Sequence, residues 1–575
     1  MTVCVMPLLL LAVGSRAFVA PIRRCQRNII NARRSLSPSR DGPNELDPGP
    51  SSIPPECGGP KKRKSRTALV WLRTSLRVGD NEALSRAADL GPDGLSVLFA
   101  WEHGPVPRTP SAAFECAAAR GLDRALRERH GNRLGVVRAS GADDAVSAVA
   151  AAAAELRPDS LVVDASSSEH DAVAVVGELR RALRAREETS SVDVVAVTDD
   201  ASLVSFSRVP SALGRSRSGG RVLRWSTFLS SMSEEPVAPP CPPPILPSPL
   251  EGSVKYASSL PMPGAAGHWA EILLDEWGEI SEEEALRRAK LADTATPTPL
   301  GNAGKIGRST RLSPYLRWGV ISARQAHEAG VRKRDLLWRD WSHVCYRVTG
   351  PLRRGEPVLP LLDGCCRTTT AEGENDNNLN DKDSLFAAWC LGRTGAPMVD
   401  AGMRQLWYEG WMPRHVRLLA AACLVEGLGL DWRKGRDWFE HTLIDHDPAI
   451  NELMWQNAGF CGVDTYYRAL KWEADGDHDY VERWSSQELS WPSAVLQDFN
   501  AQRPLPSSEE LAAAAKARRN TLQARGIYKA AAKVANSGVR VAWEDLNCTK
   551  NAVPAGEVWG VGRVPLDSLS FDINQ

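Results

Sequence analysis

Five short apolar runs, separated by amphipathic stretches, constrain the first part of this chain. The runs are rich in β-branched residues and fall at residues 67–72, 95–101, 134–139, 161–165 and 192–197. Helix-like segments lie between them, near residues 81–89, 110–130, 143–156 and 169–188. Strands that alternate with helices are joined by crossover connections and therefore pair in parallel. The pattern predicts an α/β domain with a doubly wound parallel sheet over residues 66–205.

The rest of the chain has a different pattern. Residues 206–266 lose periodicity, and their many prolines between positions 239 and 249 exclude a helix or a central strand there. We interpret residues 206–266 as an interdomain linker. Residues 267–491 carry Leu, Ala and Trp at helical spacing, which predicts a second, all-α domain. Residues 492–575 form a C-terminal extension, in which residues 507–525 have the pattern of a helix.

Composition and charge exclude several classes of protein. The longest apolar run, residues 6–13, is too short to cross a bilayer, and the mean hydropathy is −0.29. We therefore predict no membrane association. The 12 cysteines include no C-x-x-C pair, so we predict no metal site and a reducing compartment.

The first 65 residues differ in charge from the remainder. They carry eleven Lys or Arg against four Asp or Glu, which is a net charge of +7. Because the whole chain has a net charge of zero, residues 66–575 carry −7. A nucleic-acid site must then be a local basic groove on an acidic body.

Residues 1–65 have the features of a targeting presequence followed by a disordered leader. An apolar run at residues 6–13 leads into the sequence AFVAP and then into a basic, Ser-rich stretch. This order resembles the bipartite presequences of secondary plastids, and we predict a plastid location. The sequence PKKRK at residues 60–64 resembles a nuclear localisation signal, so the nucleus is an alternative, as is the mitochondrion.

Two local features indicate chemistry. Residues 307–317, GRSTRLSPYLR, place hydroxyls and backbone amides at the start of a predicted helix, which can bind a phosphate. An ordinary Ser or Thr helix cap explains the same residues. Eleven of the 19 tryptophans fall between residues 338 and 491. They can fill the core, or some can stack on a planar ligand or carry electrons.

Two longer motifs occur in the predicted all-α domain. Residues 389–417 read WCLGRTGAPMVDAGMRQLWYEGWMPRHVR, which resembles the pattern W-x-x-G-x-T-G-x-P-x-[IV]-D-A-x-M-R-Q-L of the photolyase and cryptochrome flavoproteins. Residues 431–457 begin with DWRKG and end with DHDPAINELMWQN, which match D-W-R-x-G and D-x-D-x-A-x-N-x-x-x-W-Q. Residues 69–84, LVWLRTSLRVGDNEAL, are similar to the first strand motif of the family.

The resemblance implies an α/β domain followed by an all-α domain that binds FAD. The FAD-binding residues that it implies are Ser309, Thr310, Arg311, Leu312, Ser313, Arg339, Trp411, Arg414, Arg417, Asp445, Asp447 and Asn451. Asn451 matches the residue that faces flavin N5, where photolyases have Asn, plant cryptochromes Asp and animal cryptochromes Cys. The resemblance also allows an antenna pigment, a folate or a deazaflavin, which no motif of this chain identifies.

The resemblance further implies a chain of tryptophans that carries electrons to photoexcited flavin. Trp455 and Trp432 match its two inner members. Trp455 lies four residues after Asn451, so on one helix these two side chains face the same side, and we predict that Trp455 is the immediate electron donor to excited oxidised flavin and Trp432 the next. Ungapped spacing places Leu379 where the surface member belongs. Either another Trp or Tyr completes the chain, with Trp389 and Trp407 as candidates, or photoreduction is inefficient.

On the substrate side, the resemblance implies that Trp338 stacks on a pyrimidine dimer flipped out of the duplex. Asp335 and Asn457 match two further substrate positions, where the family has Glu or Gln and, in bacterial enzymes, Trp. Pro413 and Arg414 replace the usual His-Asn. We predict light-driven repair of cyclobutane pyrimidine dimers, with a cryptochrome-type photoreceptor as the alternative.

The expected partner is UV-damaged DNA, bound by a monomer, or a signalling protein if the chain is a cryptochrome. Basic residues that can follow a phosphate backbone are Lys305, Arg308, Arg311, Arg353, Arg354, Arg404 and Arg414.

Overall fold

The computed structural model describes most of the chain after residue 65. The described residues are 66–165, 172–198, 202–205, 209, 214–215, 221–256, 260–261, 268–291, 309–365, 377–463, 477–486, 508–537 and 539–541. The predicted targeting leader, the predicted cations Lys305 and Arg308, and the end of the C-terminal extension lie outside the described residues.

A five-stranded parallel sheet forms the first part of the described chain, as predicted. Its strands are β1 (Thr67–Leu72), β2 (Gly94–Trp101), β3 (Leu134–Arg138), β4 (Ser160–Asp164) and β5 (Asp193–Val197). The strand order is β3-β2-β1-β4-β5, with every neighbouring pair parallel. Helices α1 (Glu82–Leu90), α2 (Pro110–His130), α3 (Ala142–Leu156) and α4 (Ala172–Arg184) connect the strands.

Strand β1 shows why these residues form a central strand. Ala68, Val70 and Leu72 contribute to one hydrophobic cluster, while Leu69 and Trp71 contribute to another. Successive side chains of a strand point to opposite faces of the sheet. Both faces of this sheet are covered, which is why its strands are almost continuously apolar.

The second part of the described chain is helical. Its helices are α5 (Trp225–Glu234), α6 (His268–Trp277), α7 (Glu282–Lys290), α8 (Ser313–Arg317), α9 (Ala323–Glu328), α10 (Lys333–Val348), α11 (Gly350–Arg353), α12 (Asn377–Cys390), α13 (Pro397–Glu409), α14 (Arg414–Ala422), α15 (Trp432–Thr442), α16 (Pro448–Ala458), α17 (His478–Ser485), α18 (Ser508–Ala524) and α19 (Ile527–Ser537). Helix α14 runs into a π-helical turn, Cys423–Gly427. None of the described helices is long and apolar enough to cross a membrane.

The interval that we interpreted as a linker contains regular structure. Helix α5 begins at Trp225, directly after a short strand, β7 (Arg221–Leu223). Strand β7 pairs in antiparallel fashion with β6 (Gly214–Arg215) and with β8 (Val539–Val541) of the C-terminal extension. The helix expected at residues 507–525 is confirmed as α18, whereas α19 and β8 were not predicted.

A buried ion pair joins the α/β part to the helical part. Asp80 lies between β1 and α1, is fully buried and has a left-handed backbone, with a φ of 49°. Its carboxylate accepts hydrogen bonds from Arg324 Nε at 3.0 Å, from Arg324 Nη2 at 2.9 Å and from Ser322 Oγ at 2.5 Å. Ser322 caps helix α9, so the N-terminal motif is fixed directly to the helical part.

Contacts of backbone carbonyls with Arg77 and Gly319 add to the same junction. Arg77 donates from Nη1 to the carbonyl of Gly319 at 3.0 Å, and from Nη2 to the carbonyl of Asp80 at 2.7 Å. Gly319 has a φ of +60°, and a Cβ there would collide with the carbonyl oxygen of Thr74. Only glycine allows the two backbones to approach this closely.

Helices α15 and α16 interlock through a reciprocal pair of glycines and tryptophans. A Cβ at Gly435 of α15 would overlap the indole of Trp455, which belongs to α16. A Cβ at Gly459, just after α16, would overlap the indole of Trp432, the first residue of α15. Each indole therefore lies against the backbone of the other helical segment.

We expect Asp80→Ala to lower the free energy of unfolding by about 3–5 kcal/mol, because it leaves the buried Arg324 guanidinium without its main partner. Denaturant unfolding measures the loss. Asp89→Ala removes an exposed carboxylate from the same helix α1 and should change stability by less than about 0.5 kcal/mol. Equal stability of the two variants would contradict the role that we give to Asp80.

Gly435→Ala should destabilise the protein although alanine favours helices. The helix-propensity gain is about 1 kcal/mol, whereas overpacking against the Trp455 indole costs about 1–3 kcal/mol. Gly177→Ala in α4 is the matched control, because the nearest atom to its new Cβ is 4.0 Å away. That variant should gain stability in the same denaturant experiment. A gain for Gly435→Ala as well would disprove the interlock.

Candidate functional site

The predicted phosphate turn lies on the surface immediately before helix α8. The Arg311 amide donates to Ser309 Oγ at 3.3 Å, and Arg311 has a φ of +49°. Leu312 occupies the cap position of α8 without a side-chain cap, so an ordinary Ser or Thr cap does not explain this turn. Ser309 and Ser313 are exposed and Thr310 is half-buried, which leaves three hydroxyls at the turn.

The Arg311 side chain turns into the protein. Its guanidinium lies 4.3 Å from the ring centroid of Trp277 and 5.5 Å from that of Trp411. Arg311 Nη2 lies 3.2 Å from Oε2 of Glu409, and the Glu409 side chain is buried. Burial lowers the pKa of Arg311 from its usual value. Arg311, which we predicted to bind a phosphate, is therefore already paired with the carboxylate of Glu409.

Trp411 connects this turn to the motif that begins at residue 389. Its Nε1 donates to Ser313 Oγ at 3.1 Å. Trp411 follows Gly410, which ends helix α13 in the left-handed region with a φ of 65°. This turn between α13 and α14 thus brings two parts of the predicted site into contact.

Asp447 is the electrostatic centre of the site. Its Oδ2 is 2.8 Å from His343 Nε2 on α10, and its Oδ1 accepts the amides of Ala449 and Ile450 at the start of α16. Burial alone would raise the pKa of this carboxyl. His343, with Arg317 and Arg339, instead holds that pKa well below its usual range.

The partners of Asp447 lie on helix α10. Arg339 and His343 are four residues apart and therefore occupy one face of that helix. Burial lowers the pKa of His343, and its Nε2 lies at hydrogen-bond distance, 2.8 Å, from Asp447 Oδ2. The Arg339 guanidinium donates to the carbonyl of Leu316 at 3.4 Å. His343 was not predicted, although its spacing from Arg339 could have indicated it.

Arg417 and Asp445 form the pair that the resemblance implies. Arg417 donates from Nη2 to Asp445 Oδ2 at 2.7 Å and from Nε to the carbonyl of Met412 at 3.0 Å. Within the described chain, the buried Asp445 Oδ1 has no hydrogen-bond partner. An unpartnered buried acceptor is costly, so this atom fits a ligand that donates an N–H group there.

Asn451 lies one turn into helix α16, with its side chain mostly buried. Its Nδ2 donates to the carbonyl of Arg436 at 3.0 Å. That bond fixes the orientation of the amide. Asn451 and Trp455 share this helix, as predicted.

The buried indoles form an aromatic cluster around Trp455. Its ring centroid lies 6.2 Å from that of Trp389 and 5.1 Å from that of Phe439, both with edge-to-face geometry. Trp389 is fully buried, so it can extend the chain of indoles but cannot be its surface member. Trp407, the other candidate, stacks on Trp438 at 6.0 Å.

The substrate-side residues do not all lie together. The centroid of the half-buried Trp338 is 4.7 Å from that of Trp225 on α5, and the Arg414 guanidinium lies 5.2 Å from the Trp338 ring. Asp335 instead pairs with Arg332 at 2.7 Å, and Asn457 packs beside Gly462. Trp225 was not predicted, because no local pattern links it to Trp338.

These features fit an FAD molecule. Exposed hydroxyls at the turn before α8 suit phosphate oxygens, while the unpartnered Asp445 Oδ1 suits a ring N–H group. Asn451 adds an oriented amide on α16. The residues that would hold FAD are therefore Ser309, Ser313, Asp445 and Asn451, with Arg417 fixing the carboxylate.

Comparisons with known proteins agree with this architecture. The family model for DNA photolyase matches residues 68–215, and that for the FAD binding domain of DNA photolyase matches residues 332–524. A deoxyribodipyrimidine photo-lyase of Agrobacterium fabrum is 30% identical over 461 residues, which cover 73% of this chain and 87% of the relative. Cryptochrome DASH of Danio rerio is 32% identical over 35% of this chain and 42% of its own length.

Solved structures show the same fold. A bacterial class III photolyase from Agrobacterium tumefaciens superposes with a TM-score of 0.58 at 24% identity, covering 81% of this chain and all of that chain. A cryptochrome from Synechocystis gives a TM-score of 0.57 at 19% identity, covering 80% of this chain and 99% of the other. The chain therefore belongs to the photolyase and cryptochrome family, and its cofactor is FAD.

Proposed function

We propose that this protein is a blue-light-driven DNA repair enzyme that splits cyclobutane pyrimidine dimers. The observation that carries the proposal is the half-buried Trp338 indole, which meets Trp225 in edge-to-face geometry and has the Arg414 guanidinium over its ring. An indole held in this way is a platform for a base turned out of the duplex. The alignment with the Agrobacterium fabrum photo-lyase over most of its length supports the same activity.

Bound FAD, once reduced, supplies the electron that reductive splitting of a dimer requires. The chain contributes position and electrostatics. Asp445 and Arg417 hold one end of the site, and the Asp447 carboxylate fixes the first turn of α16 through the amides of Ala449 and Ile450. Helix α16 in turn carries Asn451. The predicted contacts of Asp335 and Asn457 with the dimer remain predictions.

DNA would meet fewer free cations than the sequence suggests. Arg311 pairs with the buried Glu409, and Arg354 pairs with Glu356 at 2.7 Å. The Arg414 guanidinium lies over the Trp338 ring and can contact the phosphates next to a turned-out base. We propose that a monomer binds damaged DNA there, and that the leader directs the protein to a plastid.

A cryptochrome-type photoreceptor is the second candidate function. Asp335, in the place of an expected substrate-binding acid, is partly exposed and paired with Arg332. The C-terminal extension packs back onto the body, because β8 pairs with β7 ahead of α5. A photoreceptor would use such a segment to meet a signalling protein.

Repair is tested with an oligonucleotide that contains one thymine dimer, under blue light, with chemically reduced FAD-loaded protein. We expect light-dependent loss of dimers. Trp338→Ala should weaken dimer binding about 10-fold or more, because base stacking on an aromatic ring contributes about 1–3 kcal/mol. Trp269→Ala, which removes an exposed indole of α6, is the control. Intact dimers despite fully reduced flavin would favour the photoreceptor.

Trp455→Phe tests the electron-transfer role of the inner indoles. We expect retained FAD and a large fall in the rate at which light and a thiol reduce the flavin. Repair by chemically reduced protein should be unchanged, because that reaction starts from flavin that already holds the electron. If Trp455 only fills the core, the variant loses some stability and photoreduces at the wild-type rate.

A further inference from the structure

The indole N–H of Trp432 meets a carboxylate. Trp432 Nε1 donates to Asp363 Oδ1 at 3.1 Å, and the indole itself is buried. Asp363 follows the short helical turn Pro360–Leu362 and is mostly buried, with 16% of its side chain exposed. Arg433 fixes the carboxylate from Nη2 at 2.8 Å to Oδ2 and from Nη1 at 3.2 Å to Oδ1.

Other buried indoles of the site donate to groups that cannot take a proton. Trp389 Nε1 donates to the carbonyl of Ala420 at 3.0 Å, and Trp277 Nε1 donates to the carbonyl of Glu409 at 2.9 Å. A peptide carbonyl is not a base near neutral pH, whereas an aspartate carboxylate is. The Trp432–Asp363 contact is therefore chemically different from those at Trp389 and Trp277.

Two guanidinium groups lie over the Trp432 ring, and each is also paired with carboxylates. The guanidinium carbons of Arg433 and Arg436 lie 4.5 Å and 5.4 Å from the ring centroid. Two cations stabilise a neutral indole through its quadrupole, but they repel the charge that remains when the indole loses an electron. Loss of the N–H proton removes that charge, and an indole radical cation is a far stronger acid than neutral indole.

We propose that Asp363 accepts the indole proton of Trp432 when Trp432 is oxidised. Trp455 gives one electron to photoexcited oxidised flavin, and Trp432 gives one electron to Trp455. The N–H bond of Trp432 then breaks, and an O–H bond forms on Asp363, which leaves a neutral indole radical. A thiol reductant later returns the electron, and Asp363 returns the proton. The proposal rests on the electron-transfer role of Trp455 and Trp432 proposed above.

Proton transfer from Trp432 would take the place of electron transfer from a surface tryptophan. Ungapped spacing places Leu379 where the family has its surface tryptophan, so no indole at that position takes the charge from Trp432. Deprotonation by Asp363 traps the oxidised state on Trp432 and slows the return of the electron from the flavin. Full reduction by an external thiol then has time to occur.

Asp363→Asn tests the proposal in the full-length, FAD-loaded protein. The amide oxygen can still accept the indole hydrogen bond, but it is not a base. Time-resolved absorption should show the wild-type indole radical cation converting to the neutral radical, more slowly in D2O. In Asp363→Asn the cation should persist until it recombines, and photoreduction should fall about 10-fold.

Asp431→Asn is the matched control. Asp431 also binds Arg433, at 3.2 Å, and caps helix α15, and asparagine is an equally good cap. This variant should behave as the wild type does. Wild-type radical conversion in Asp363→Asn would overturn the proposal.

A measurement in the dark does not depend on photochemistry. In isotope-labelled, FAD-loaded protein, the Trp432 indole N–H resonance should shift as Asp363 titrates, and this shift should disappear in Asp363→Asn. If the Trp432 N–H resonance does not shift when Asp363 titrates, the proposal is also overturned. If Trp432→Phe photoreduces like the wild type, the electron-transfer role itself fails and the proposal falls with it. Wild-type kinetics in Asp363→Asn alone would reject only the proton transfer.

Discussion

The buried ion pair between Asp80 and Arg324 is the constraint on which the rest of the site depends. Removing two charges from water costs several kcal/mol per ion, so such a pair contributes little net stability. The pair instead fixes the orientation of the two parts, because any arrangement that left the buried carboxylate or guanidinium unpaired would have a much higher free energy. The Arg77 guanidinium donates to the Gly319 carbonyl, and the backbone of Gly319 lies close to that of Thr74, which adds contacts between the two parts of the molecule. The turn at residues 309–312, before α8, lies only a few residues before Gly319, so these contacts also fix its position.

Within the helical part, one carboxylate performs a similar task. Asp447 accepts hydrogen bonds from two amides at the start of α16 and lies 2.8 Å from His343 Nε2 on α10. Because burial and ionisation of this group oppose each other, the carboxylate keeps its charge only while its cationic and donor neighbours are in place. The position of α16, and with it that of Asn451 and Trp455, is thus coupled to helix α10.

The sheet could be predicted because its strands are local apolar runs of the right length between clear helices. The pairing of β7 with β8 could not, because each strand has three residues and more than 300 positions separate them. Arg311 was predicted from the phosphate motif alone. Its side chain turns inward because Glu409, a buried acid from another motif, is the stronger partner, and nothing in either motif indicates that they meet.

Some residues of the cofactor-binding motifs have a packing role instead of contacting a cofactor. Asp400 closes the turn before α13 by accepting the amides of Thr394 and Gly395, both at 2.8 Å. Gly435 makes room for the Trp455 indole. Such residues identify the family because the fold requires them, and they do not distinguish one chemistry from another. The differences must then come from residues outside the motifs, such as Trp225 beside Trp338 and Asp363 at the N–H group of Trp432.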